Sequence, residues 1–326
     1  MQKNKLEYYA IRGYKEFAET AHANITLTNK CNNNCYYCIG GFNVPRKKYE
    51  FLSRNQFSEV IKLLLAQKKP RISMTLIGGE PTVHEDFPYF LSKADKLKNN
   101  YVHVTTNLLK PYEYFKSLPL KKSLNFTCSY HSNGVKDDSE WFSKIDLLYE
   151  KGCLFDVFLM LTENNIDKIK KVYEKYKGKY IIEGKESLIV YPINEFAYSK
   201  KFKKLTKSIV FDYFNTHADC RGDGELNSND VKVLLSDGTN DYLNYDTYKS
   251  FYFMLCHCAL AVHPNGNVTR CLHDVAPVIV LGKDKPRKLP DWHLCRQKKC
   301  ICDFEYPKCS IDYYKKHFRK EDINEA

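Results

Sequence analysis

Between His22 and about Lys200 the chain alternates short apolar runs with amphipathic segments, and this alternation limits the possible folds more than any other feature. Asn24–Leu27, Ile72–Ile77, Tyr101–Thr105, Ser123–Ser129, Leu154–Leu161 and Leu188–Tyr191 read as strands. Between them, Ser53–Gln67, Phe87–Leu97, Tyr112–Ser117, Ser139–Lys151 and Asn165–Lys177 carry helical patterns. In the first of these, Ser53 is the candidate N-cap, and Phe57, Val60, Leu63 and Leu64 form the apolar stripe. Strands alternating with helices argue for βα units, a parallel sheet and an α/β fold. Ligands in such folds gather at the C-terminal edge of the strands, so the loops after the first two strands are where chemistry is expected.

The first loop carries Thr28-Asn29-Lys30-Cys31-Asn32-Asn33-Asn34-Cys35-Tyr36-Tyr37-Cys38. Each iron of a 4Fe–4S cluster wants a thiolate, so three closely spaced cysteines leave one iron open to something that is not protein. Three such cysteines could also be part of a zinc site, which normally needs four ligands. The second loop is Gly78-Gly79-Glu80-Pro81-Thr82. Its glycines permit positive φ and close approach of the backbone to a ligand. Glu80 offers an acceptor, and Pro81 stiffens the turn without an N–H.

The cysteine triplet with Tyr37 before its last member, followed by Gly78-Gly79-Glu80-Pro81 at a strand end, resembles the signature of radical S-adenosylmethionine (SAM) enzymes. The resemblance implies a partial (β/α)6 TIM-like barrel. It implies a [4Fe–4S] cluster on Cys31, Cys35 and Cys38 whose open iron is chelated by the amino and carboxylate groups of SAM. An electron from the cluster then cleaves SAM to methionine and a 5′-deoxyadenosyl radical, which takes hydrogen from the substrate. Tyr37, Gly78, Gly79, Glu80 and Pro81 are the implied cofactor contacts, with the turn and the Glu80 carboxylate holding the SAM amino group. Thr106 and Asn107, closing the third strand, could reach the ribose or carboxylate. In Ser123–His131 the polar set Asn125, Thr127, Ser129 and His131 alternates with Leu124, Phe126, Cys128 and Tyr130. The polar set should face the barrel lumen, with Ser129 at the SAM ribose and His131 as a candidate substrate contact. Cys128 would then face the helices. It is kept as a candidate hydrogen donor, although a buried free cysteine usually behaves as a small hydrophobe. His84 is expected to shape its loop. A reducing partner such as flavodoxin or ferredoxin is implied.

A second cysteine group follows. Cys256, Cys258, Cys271, Cys295, Cys300, Cys302 and Cys309 crowd the C-terminal part. The run from Cys256 through Gly266 to Cys271 resembles the start of the SPASM or twitch domains that hold auxiliary clusters in many radical SAM enzymes. Pro264-Asn265-Gly266-Asn267 reads as a hairpin turn between Ala259–Val262 and Val268–Thr269. The spacing of the last four cysteines departs from the full SPASM form, which points to one auxiliary [4Fe–4S] cluster. The best four ligands are Cys256, Cys271, Cys300 and Cys302. Cys295 is the next candidate, Cys258 could replace Cys256, and a structural zinc ion remains an alternative.

The expected organisation is an N-terminal helical segment over 1–20, the barrel over 21–200, a connector with a small β element at Val231–Leu235 over 201–250, and the cysteine-rich auxiliary-cluster domain over 251–326. The segment before the first strand leaves no room for the leader-binding domain of enzymes that modify ribosomal peptides. No signal peptide or membrane span is apparent, so a cytoplasmic protein is expected. There, 13 cysteines argue for metal or cofactor ligands rather than disulfides. The net charge of +12 comes from lysines scattered over helix faces rather than from an arginine-rich segment, so a nucleic-acid partner is not expected. Substrates of the implied chemistry include peptides, sugars and small metabolites. An RNA-modifying radical SAM enzyme and a non-catalytic zinc or iron–sulfur protein are the alternatives.

Overall fold

The computed structural model describes residues 19–38, 40–42, 48–162, 164–192, 259–271, 274 and 276–294, with short strand backbones at 8–9, 230–234, 240–244, 255–256 and 308–309. The elements run β1 (Thr20–Thr26), α1 (Arg54–Ala66), β2 (Arg71–Ile77), α2 (Phe87–Asp95), β3 (Asn100–Thr106), α3 (Tyr112–Lys116), β4 (Leu124–Tyr130), α4 (Asp138–Glu150), β5 (Leu154–Leu161), α5 (Ile166–Tyr176) and β6 (Leu188–Pro192). The alternation of strands and helices is the one expected, and its order is that of the partial (β/α)6 barrel that the resemblance implied.

The chain divides into two compact units. One comprises Ile25–Leu52 and Met74–Glu225; the other comprises Met1–Asn24, Ser53–Ser73 and Leu226–Ala326. The expected linear division is therefore not the observed one, because β1 and β2 each contribute residues to both units.

In the first unit, β3 pairs in parallel with β4, β4 with β5, and β5 with β6. One face of these strands packs on the helices: Leu124, Phe126, Cys128 and Tyr130 are fully buried. The Tyr130 ring lies edge-on to Trp141 of α4 at 5.2 Å. The alternate residues, including His103, Asn125, Ser129 and Met160, are only half-buried and face the concave side. Helix α4 starts on Asp137, whose carboxylate accepts from the Ser139 and Glu140 backbone N–H groups. Tyr176 of α5 stacks on Phe142.

In the second unit, α1 opens with a capping box. The Ser53 side chain accepts from Gln56 N, and the Gln56 side chain accepts in return from Ser53 N. Phe57, Val60, Leu63 and Leu64 are buried as their spacing predicted. Gln67 ends the helix and donates through Nε2 to the Arg287 carbonyl at 3.0 Å. Strands β7 (Leu260–Val262), β8 (Asn267–Thr269) and β9 (Ile279–Val280) pair antiparallel. Gly266 turns the β7–β8 hairpin at φ +87°, and a Cβ there would lie 2.3 Å from Gln56 Nε2.

Two expectations are corrected and a third is met. Within the segment 1–20, expected to be helical, Tyr8–Tyr9 is a strand paired with Lys308–Cys309, and residues 1–7 and 10–18 lie outside the described residues. Adjacent tyrosines favour a pleated surface over a helix. Strand β1 begins at Thr20 rather than Asn24, because a ladder partner extends it over alanines that carry little strand signal of their own. The small β element expected near Val231 is present as a hairpin, Asp230–Leu234 against Asn240–Asn244; the rest of the 201–250 connector lies outside the described residues.

Candidate active site

The cysteine loop leaves β1 already tied to the second motif. Leu27 N donates to Ile77 O at 2.8 Å, Gly79 N to Thr28 O at 2.8 Å and Glu80 N to Lys30 O at 2.9 Å. The Gly-Gly-Glu turn thus carries a backbone ladder onto the cysteine loop. A Cβ on Gly78 would lie 2.6 Å from Thr28 O, and one on Gly79 would lie 2.4 Å from Lys30 O. Both glycines are required here by the chain's own backbone rather than by a ligand, and neither has positive φ.

Cys31, Cys35 and Cys38 are free thiols. Each sulfur accepts a hydrogen bond: Cys31 from Asn33 N at 3.4 Å, Cys35 from Asn33 Nδ2 at 3.1 Å and Cys38 from Phe42 N at 3.4 Å. Burial raises the Cys31 and Cys35 thiols, the latter to about 11, and charge on neighbouring cysteines raises both further. The three sulfurs therefore lie within one another's field, where positive charge would favour the thiolates. Among the described residues, no three His, Cys, Asp or Glu side chains converge on one metal ion. A tetranuclear cluster does not ask for that convergence, since each thiolate binds its own iron. Spread thiols, each with an N–H donor, fit such a cluster.

Glu80 was expected to face SAM, but its carboxylate is enclosed by protein. It is 1% exposed. Oε1 accepts from Thr82 N at 3.0 Å, Thr82 Oγ1 at 2.6 Å and Thr106 Oγ1 at 2.7 Å, and Oε2 accepts from Asn107 N at 2.8 Å. Burial outweighs these four donors and raises the carboxyl above its ordinary value. Pro81 starts a short 3-10 turn over Pro81–Val83. Thr106, also expected near SAM, is buried with its hydroxyl committed to Glu80. Asn107 faces the cysteine loop: its Nδ2 donates to Asn32 Oδ1 at 2.9 Å and lies 3.9 Å from Cys31 Sγ. Its carbonyl accepts from Trp141 Nε1. His84 shapes its loop as expected, with Nε2 at 2.9 Å from Leu52 O.

On β4, Ser129 faces the concave side opposite Phe158 in register. Past the strand end, His131 Nδ1 lies 2.9 Å from Tyr37 OH, and burial lowers the imidazole to about 4. Tyr37 in turn bonds Cys35. Asn133 Nδ2 reaches Asn33 Oδ1 and the Asn34 carbonyl at 3.3 Å each. Cys128 sits on the helix-facing side with no exposure, which removes it from the concave face where a hydrogen donor would stand. Asn32, Asn33 and Asn133 escaped the sequence reading; the asparagine run inside the cysteine motif was the available signal. Asp156 escaped it too, and its signal is an acid interrupting the apolar run Leu154–Leu161.

Of the auxiliary ligand set, Cys271 is a half-buried cysteine outside any disulfide, just past β8, and Thr269 Oγ1 donates to its carbonyl. Cys256 pairs in a short strand with His293. Cys258, Cys295, Cys300 and Cys302 lie outside the described residues.

Residues 25–176 match the model of the Radical SAM superfamily. It is similar to Molybdenum cofactor biosynthesis protein moc-5 of Caenorhabditis elegans, at 25% identity, covering 78% of this chain and 44% of that protein. It is 27% identical to the GTP 3',8-cyclase of Synechocystis, covering 36% of this chain and 35% of the cyclase. The chain thus spans less than half the length of either relative. The solved structure described as native anSMEcpe with bound AdoMet and Cp18Cys peptide shares the fold, with a TM-score of 0.51 and 19% identity over 79% of this chain and 75% of that one. Among the described residues no helix is long and apolar enough to cross a membrane.

Proposed function

We propose that the chain is a radical SAM enzyme acting on a peptide, sugar or small-metabolite substrate. Cys31, Cys35 and Cys38 hold the [4Fe–4S] cluster. That cluster, when bound, would supply the electron for reductive cleavage of SAM and so radical chemistry on the substrate. The observation that carries this reading is the ladder from Gly79 and Glu80 to Thr28 and Lys30, which fixes the two motifs against each other.

The chain's own residues divide the remaining work. Gly78 and Gly79 keep the turn pressed on the cysteine loop, and Glu80 acts behind it as a positioning residue for Thr106 and Asn107. Ser129 offers the SAM ribose a hydroxyl. Tyr37, held by His131, sets the loop beside Cys35. Similarity to a GTP 3',8-cyclase makes GTP one of the small metabolites to test. An auxiliary cluster on Cys256, Cys271, Cys300 and Cys302 in a SPASM/twitch-like domain, a cytoplasmic location and a flavodoxin or ferredoxin as reductant complete the reading; the β7–β8 hairpin supports the first of these.

Electron paramagnetic resonance of the reduced, anaerobically reconstituted protein tests the assignment. A cluster signal that shifts on adding SAM is expected, and its loss in the Cys31→Ala/Cys35→Ala/Cys38→Ala variant. A SAM-responsive signal that survives in that variant would contradict it.

A further inference from the structure

Asp156 lies on the concave face because of an irregularity in β5. Leu154 stands opposite Phe126, but Asp156 stands opposite Thr127, so the register skips Phe155. In a regular strand Asp156 would share the helix-facing side with Leu154. The bulge turns it towards the concavity instead. Bulges are over-represented beside active sites, where they re-aim a side chain.

The re-aimed carboxylate has no partner: among the described residues it accepts no hydrogen bond and makes no ion pair, and burial alone raises it, to about 6. The concave positions of β3 to β6 hold neither lysine nor arginine; the neighbours on that face include His103, Thr127 and Phe158. An unpaired, half-buried acid costs stability unless something supplies donors. Such groups concentrate at functional sites.

We propose that Asp156 determines substrate specificity by receiving an N–H donor group of the substrate, and that this part of the chamber rejects phosphate and carboxylate groups. The donor is either a cationic amidinium or ammonium, or the adjacent N–H groups of a neutral base edge. Two parallel N–H groups match the two oxygens of a carboxylate. This inference rests on the concave face being the substrate chamber of the enzyme proposed above.

Calorimetric titration of the reconstituted full chain with benzamidinium, guanosine and benzoate tests it. At least one N–H probe should bind, and Asp156→Asn should weaken that binding roughly tenfold or more, the effect of one hydrogen bond to a charged group. Benzamidinium alone binding identifies a cationic group, and guanosine alone a neutral base edge. Asp156→Ser, with thermal unfolding of both variants, covers the case in which Asp156→Asn fails to fold. The proposal is overturned if neither N–H probe binds the wild type at millimolar concentration, if binding is unchanged in the variants, or if benzoate binds as well as the N–H probes. SAM cleavage without any probe reads the radical SAM assignment separately, so failure of one is distinguishable from failure of the other.

Discussion

Glu80 shows how a single buried side chain can tie two loops together. Its four donors come from its own turn and from the end of β3. Glu80→Ala leaves buried donors unmet and should lower stability by about 1–3 kcal/mol. Because Asn107 then loses its anchor beside Cys31, iron retention should fall with it. Chemical denaturation and iron analysis check both; a variant with unchanged iron that loses only SAM affinity would restore Glu80 as a direct ligand. Asp156 gives a second residue-scale prediction, in pH. Its carboxyl titrates at about 6 in the folded chain against 3.8 otherwise. The folded chain therefore binds more protons in that window, and this group's contribution to stability is lost as pH rises through it. Thermal midpoints of wild type should fall relative to Asp156→Asn between these pH values and run parallel above them. A constant difference across the window contradicts the raised carboxyl. Neither role was legible in the sequence. The motif marks Glu80 as special, but the groups that enclose it arrive from another strand, and Asp156 depends on a bulge that no local pattern announces.

At the level of elements, the sequence was far more readable. Leu154–Leu161 coincides with β5 at both ends, and α1 to α5 each lie within a residue or two of their expected spans. The apolar spacing of Phe57, Val60 and Leu64 and the cap at Ser53 are local signals, and local signals survive folding unchanged. Ser53→Ala should cost α1 about 1 kcal/mol, measurable as a lower unfolding midpoint; no change would mean that the Gln56 side chain alone caps the helix. The glycine turn was legible in position but not in purpose. Its glycines answer to the Thr28 and Lys30 carbonyls, which only tertiary pairing brings near. Gly79→Ala forces that ladder apart, and reconstituted protein should hold less iron at the N-terminal site. Full iron content with an intact SAM response would show that the cysteine loop needs no such support.

On the scale of the whole molecule, chain order misled the division into domains because β1 and β2 each run through two units. The C-terminal cysteines carry the remaining proposal. Replacing Cys271 should lower iron from about eight to about four per chain if a second tetranuclear cluster is lost, with circular dichroism as the check on folding. A folded variant with full iron would remove Cys271 from the ligand set. The central claim is that Cys31, Cys35 and Cys38 support reductive SAM cleavage. Its most direct measurement is 5′-deoxyadenosine formed from SAM by the reduced, anaerobically reconstituted protein. Wild type should form it together with methionine, and the triple alanine variant should form none; equal formation by the two proteins would contradict the account.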